Sequence, residues 1–213
     1  MNVKLVGVTQ PTIEGVNTAE ELVAYTARVS NPENQHNQET APKLVKYLIK
    51  NHHWSPFEMV HVVMEINTTR DIARQILRHR SFSFQEFSQR YATVDSLGFE
   101  TREARLQDTK NRQNSVVTDD PVITKGWQEW QNRVIDESKR AYNWALHMGI
   151  AKEQARSVLP EGITHSRLYM SGTLRSWIHY CELRMNNGTQ KEHMEVARAC
   201  WGVLKQQFPS ILE

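Results

Sequence analysis

Between residues 59 and 80 the chain reads MVHVVMEINTTRDIARQILRHR, and its hydrophobic period changes partway along. Val60, Val62, Met64 and Ile66 fall on alternate positions, which predicts a strand with one buried face. Ile72, Ala73, Ile76 and Leu77 then recur at helical spacing, so TTRDIARQILRHR is expected to be a helix ending near Arg80. Such a chain needs helices stacked on a sheet. The other segments agree. The N-terminal stretch reads as a first strand and residues 162–173 as another. Helices are expected over 18–29, 40–52, 121–150, 174–184 and 191–208. Few strands among many helices predict an α+β fold, with helices packed on a central, mostly antiparallel sheet. The length of 213 residues fits one domain over 1–213.

Four further readings bound the function. No run of about 20 apolar residues is present, so no membrane span is expected, and the N-terminus is too short in apolar length for a signal peptide. Cys181 and Cys200 sit in helical patterns and are expected to be buried thiols in a reducing, cytoplasmic compartment. Residues 93–120 are polar and irregular, and a loop of that length suits a gate over a site. In the 121–150 helix, Trp127, Trp130, Val134, Ala141, Ala145 and Met148 make a stripe expected to lie in the core.

The chemistry concentrates in RHRSFSFQEFSQRY, residues 78–91. Arg74 and Arg78 are one helical turn apart, as are Gln75 and His79, so the four are expected to fan across one polar side. SFSFQEFSQR is expected to be irregular and to fold back near the same helix end. Arginine forks grip phosphate bidentately, and serine and glutamine add neutral donors. Glu86 suits a sugar hydroxyl or a base N–H. The structural alternative is a solvated helix end with each arginine paired to a carboxylate. Phe82, Phe84 and Phe87 interleave the polar groups and argue for a partly desolvated site. Single-stranded nucleic acid is a rival ligand, but a net charge of +2 and no long basic stripe argue against it. His52, His53, Glu58 and His61 match no standard metal-ligand spacing, so no metal is expected. Ser88 has no histidine–acid pair nearby in sequence to make it a nucleophile.

The segments ARVS (27–30), HWSPFE (53–58), ARQILRHR (73–80), RHRSFSFQEFS (78–88), NRQNS (111–115), ARSVLP (155–160) and LRSWIHYCELR (174–184), in this order, resemble the flavin-dependent thymidylate synthases, the ThyX family. The resemblance covers nearly the whole chain. It implies a ThyX-type α+β fold and a homotetramer with active sites shared between subunits. It implies methylation of dUMP to dTMP. Methylenetetrahydrofolate is the one-carbon donor, and NADPH reduces a bound FAD that supplies the hydride. Neither nucleic acid nor membrane is an implied partner.

By resemblance, Arg78, His79 and Arg80 meet the flavin, with Arg78 also near the nucleotide. Gln75, Glu86, Phe87, Ser88, Gln89, Arg90 and Arg156 match nucleotide-binding positions. Ser30, His53, Ser55 and Glu58 match the lining of the flavin and folate pocket, with Glu86 also against the flavin and His52 the neighbouring alternative to His53. Thr173, Arg175 and His179 match flavin contacts. Arg184 matches the arginine that activates the uracil ring by stabilising negative charge at N3 and O2. Three departures stand out. Gln89 replaces a glycine found in some members, Thr173 stands where an asparagine often precedes the arginine–serine pair, and a histidine that some members place before the Gln190/Glu192 pattern is missing. Arg175 and His179 share a helix face, whereas Arg184 lies about half a revolution from Arg175. The two arginines are therefore expected to serve different active sites. A flavoprotein of this fold acting on another nucleotide is the rival enzymatic reading.

Overall fold

A computed structural model of the chain describes residues 2–93 and 98–210. Its core is a four-stranded sheet of β1 (Asn2–Val8), β2 (His61–Thr69), β3 (Ser83–Glu86) and β6 (His165–Thr173), ordered β1-β2-β6-β3. Every pairing is antiparallel. The alternation read from the sequence is the buried face: Val60, Val62, Met64 and Ile66 are fully buried. Leu168 and Met170 continue that face on β6, and Trp177 ties a helix to it by donating Nε1–H to the carbonyl of Val62 at 3.0 Å.

Helices α1 (Ala19–Ala27), α2 (Ala41–Lys50), α6 (Leu174–Arg184) and α7 (Lys191–Gln207) supply apolar faces to one core cluster with the sheet. α1 starts at a capping box, in which Thr18 accepts from the Glu21 N–H and Glu21 reaches back to the Thr18 N–H. Cys181 and Cys200 are free and buried in this core, and burial pushes both thiols up.

Four sequence expectations change. Helix α3 is only Arg70–Ile76, so Arg78 and His79 lie beyond it and do not continue the Arg74/Gln75 face. The chain must turn there to reach the sheet. SFSFQEFSQR is not irregular: Ser83–Glu86 form strand β3 against β6, its Ser83 opposite Ser171 and Glu86 opposite Leu168. The 93–120 stretch is not an open loop. β4 (Arg105–Gln107) and β5 (Ser115–Val117) pair within it as a hairpin, while positions 94–97 lie outside the described residues.

The fourth change concerns α4 (Pro121–His147), whose tryptophan stripe is not core. Trp130 is 61% exposed, and Trp127, Val134 and Met148 are exposed too. The buried face is instead Gln131, Ile135, Ser138, Tyr142 and Ala145. Gln131 fixes that choice, because its amide accepts from the Arg102 N–H at 2.7 Å and donates to the Arg102 carbonyl at 2.9 Å. Burial of that amide is satisfied at both ends, so it costs little. Short α5 (Lys152–Ala155) follows and leads to β6.

Candidate active site

The predicted residues gather in three places. The first lies where the turn 55–59 meets the start of α6. Arg175 Nη1 donates to Glu58 Oε1 at 2.8 Å. Burial would raise the Glu58 carboxyl, but the Thr173 hydroxyl and the Arg175 guanidinium outweigh it and hold it below its usual range. Thr173 is also the N-cap of α6, accepting from the Ser176 N–H at 3.2 Å. It therefore has a structural job at the position where the family often has asparagine. His179 packs edge-on against Trp54, ring centroids 4.6 Å apart, one helical turn from Arg175. His53 sits beside Tyr47 at 6.1 Å. Neighbouring His52 takes the left-handed conformation at φ 58°, which ends α2 and turns the chain into the His53–Glu58 segment. Ser30 is exposed just past α1.

The second place is the C-terminal end of α6. Arg184 donates Nε–H to Nε2 of His79 at 2.9 Å. A guanidinium only donates, so His79 must hold its Nε2 bare and carry its proton on Nδ1. Burial first, then the charges of Arg184 and Arg78, push the His79 pKa down to about 4. Tyr180 stacks edge-on against His79 at 4.9 Å, and behind it lies fully buried His193, pushed down to about 3 by burial and by Arg184. Gln75 reaches this cluster through His193. Arg175 and Arg184 thus belong to separate clusters on one helix.

The third place is the signature strand. Glu86 faces inward. It accepts from Ser166 Oγ at 2.8 Å and Arg74 Nη1 at 3.1 Å, with Arg70 Nη1 3.7 Å away. Arg74 is therefore a structural partner, as in the bland reading. Arg78, Arg80 and Arg90 are not: they are exposed and, among the described residues, carry no ion pair. Gln89 is buried with its Nε2 lacking a hydrogen-bond partner among the described residues. Phe87 is pinned by its N–H to the Arg167 carbonyl at 2.8 Å, and Ser88 is half-buried beside it. Lys152 donates to the Tyr91 carbonyl at 2.9 Å, which docks α5 against the end of this segment, with Arg156 immediately after.

Sequence reading missed Arg102 and His193. Arg102 bonds Asp71 at 2.8 Å and Glu192 at 2.8 Å, and so ties α3 to α7 and to the loop before β4. A cavity of about 810 Å³ lies against it, between α4 and the β4–β5 hairpin, with Trp127, Trp130, Arg112, Gln113 and Gln190 in its wall. None of the residues expected from the sequence to bind a ligand lines it. The NRQNS segment is the sequence signal that points there, with Arg112, Gln113, Asn114 and Ser115 in the lining.

Comparison with known proteins fits this geometry. The family model described as thymidylate synthase complementing protein matches residues 12–210. A probable flavin-dependent thymidylate synthase of Paramecium bursaria Chlorella virus 1 is 54% identical over 214 residues, covering 99% of this chain and 97% of the relative. The flavin-dependent thymidylate synthase of Synechocystis sp. is 49% identical over 214 residues, with the same coverage. Among solved structures, the UMP/dUMP methylase PolB from Streptomyces cacaoi, bound with 5-Br dUMP, superposes with a TM-score of 0.83 at 26% identity, covering 99% of this chain and 92% of that one. The chain belongs to the family of the flavin-dependent thymidylate synthases.

Proposed function

We propose that the protein methylates dUMP at C5 to give dTMP, with FAD bound and with methylenetetrahydrofolate and NADPH as co-substrates. The observation that carries this reading is Arg184 held by a histidine that burial and charge keep neutral. Attack from C5 needs electron density pushed into the ring. A guanidinium fixed beside N3 and O2 stabilises that charge, as oxyanion donors do. Because His79 accepts from Arg184 without being charged, the full positive charge of the arginine remains available to the base.

The residues present fit a flavin and a nucleotide. Exposed Arg78, Arg80 and Arg90, without an ion pair among the described residues, suit phosphates, with Ser88 and the Nε2 of Gln89, unsatisfied among those residues, as added donors. Ser30, His53, Ser55, Glu58, Arg175 and His179 form the wall assigned to flavin and folate. FAD, when bound, supplies the hydride. Shared sites in a homotetramer fit the separation of the Arg175 and Arg184 clusters and the exposed tryptophans of α4. The two buried free thiols fit a cytoplasmic setting.

The test is tritium release from nucleotide labelled at C5, with FAD, NADPH and methylenetetrahydrofolate each omitted in turn. Release from dUMP that needs flavin and NADPH is expected. Release from UMP and not dUMP would shift the substrate, and no release with no bound flavin would overturn the reading.

A further inference from the structure

Behind the Arg184 cluster runs a row of polar side chains in which Gln75 of α3 joins residues at and within α7 that are distant in sequence. The Tyr180 hydroxyl meets His193 Nε2 at 3.1 Å, and His193 Nδ1 meets Gln75 Oε1 at 3.3 Å. Gln75 Nε2 donates to Gln190 Oε1 at 2.7 Å, and Gln190 Nε2 donates to Glu192 Oε2 at 2.9 Å. Glu192 ends the row between two guanidiniums, with Arg102 Nη1 at 2.8 Å on Oε2 and Arg105 on Oε1. Burial would raise the Glu192 carboxyl, but its own backbone N–H, Arg102, Gln190 and Arg105 outweigh it and keep it ionised.

That end sets the direction of the whole row. An ionised carboxylate only accepts, so Gln190 must donate to it. Gln190 Oε1 is then an acceptor and Gln75 must donate to it. Gln75 Oε1 is left facing His193, which must donate from Nδ1. His193 Nε2 is then bare and takes the Tyr180 proton. Turning either glutamine amide over would set acceptor against acceptor unless Glu192 carried a proton beside two arginines. His193 and Tyr180 are buried, so no water competes for these bonds.

We propose that this row fixes which way the Gln75 amide faces, so that the group it turns to the pyrimidine is its second N–H, a donor. An unconstrained glutamine turns its amide over and greets a carbonyl or an amino group equally well. Here Oε1 accepts from His193 and one N–H goes to Gln190, so the amide cannot turn over and the second N–H is its one uncommitted donor. With Arg184 on the N3/O2 edge, the carbonyl at C4 is the ring acceptor left to meet it. Cytosine carries an amino group there, and two donors facing each other leave both unsatisfied. The inference rests on Gln75 being a nucleotide contact. Gln75 touches the base, whereas His193, Gln190 and Glu192 are positioning residues that act through it.

Two measurements on the full-length flavin-bound protein test this. The first needs no nucleotide: with ¹⁵N-histidine label, His193 is expected as the neutral tautomer protonated on Nδ1, unchanged from pH 7 to about pH 5. A proton on Nε2 would overturn the proposed polarity. The second compares dUMP and dCMP binding by calorimetry. The wild-type protein is expected to prefer dUMP by at least about 10- to 100-fold, the cost of an unsatisfied buried donor. Gln190→Leu cuts the row on the outer side of Gln75 and should lower that preference at least tenfold with flavin still bound. Equal binding of both nucleotides by the wild type, or an unchanged preference in Gln190→Leu, would sink the idea. Binding of neither would instead overturn the functional reading beneath it, while the tautomer still judges the row.

Discussion

At the scale of single residues, the Arg184–His79 bond joins a permanent cation to a base that must stay neutral. Removing the cation should be costly for chemistry and cheap for the fold. Arg184→Ala is expected to lower turnover by about 10²- to 10³-fold, as loss of one oxyanion donor does, with flavin absorbance retained. Unchanged turnover would remove Arg184 from the mechanism. The two neutral histidines also set a pH dependence. Their folded pKa values, about 4 for His79 and about 3 for His193, lie below the unfolded value of 6.5. The unfolded chain therefore binds protons first as pH falls, and stability is lost below pH 6.5 down towards pH 4. Thermal melts should show a falling Tm between pH 6.5 and 4.5, above the range where carboxylates titrate. His193→Gln should flatten part of that slope; an identical slope would mean that other groups carry it. The arginines of the signature were legible in the sequence because like charges side by side need a reason. His193 was not, because its partner Gln75 is 118 residues away and a lone histidine on a helix has no distinguishing pattern.

At the scale of elements, the decisive event is the end of α3 at Ile76 and the turn over residues 77–82 that leads into β3. The turn between them points the His79 ring inward to Arg184 and leaves Arg78 and Arg80 outside. Phe82 holds it: the ring packs on Trp177 at 4.9 Å and lies over Gly172 of β6. A Cβ at Gly172 would come within 2.4 Å of the Phe82 ring. Gly172→Ala is therefore expected to destabilise by about 1–3 kcal/mol, the usual cost of overpacking, and to displace the His79 turn. A denaturant melt with a native midpoint would show that the ring yields freely. The helical period predicted α3 too long because Leu77 extends the apolar pattern. The aromatic run after it hid a strand, since Phe82, Phe84 and Phe87 do not alternate strictly.

At the scale of the whole molecule, α4 carries two stripes and the chain by itself buries only one. The exposed stripe holds Trp130 and Val134, with Trp144 nearby at 61% exposure. Burying one such side chain is worth roughly 1.5–3 kcal/mol, so leaving several in water is costly for a monomer. If this face joins subunits, Trp144→Glu should shift the sedimenting species to smaller size at unchanged helix content. A tetramer that persists would place the interface elsewhere. Sequence alone determined the elements with a clear period: the alternation of β2, the apolar faces of α1, α2, α6 and α7, and the α+β class that follows. It also determined the chemical types at the signature and, through six ordered segments, the family. Local patterns suffice there because periodicity records which side of an element is wet. Only the tertiary structure decided which of the two α4 stripes is buried, which arginines around the signature pair with carboxylates and which are exposed, and how Tyr180, His193, Gln75, Gln190 and Glu192 line up. Those outcomes depend on contacts between distant segments. A side chain's partner, charge state and hydrogen-bond direction are set by what the fold brings beside it.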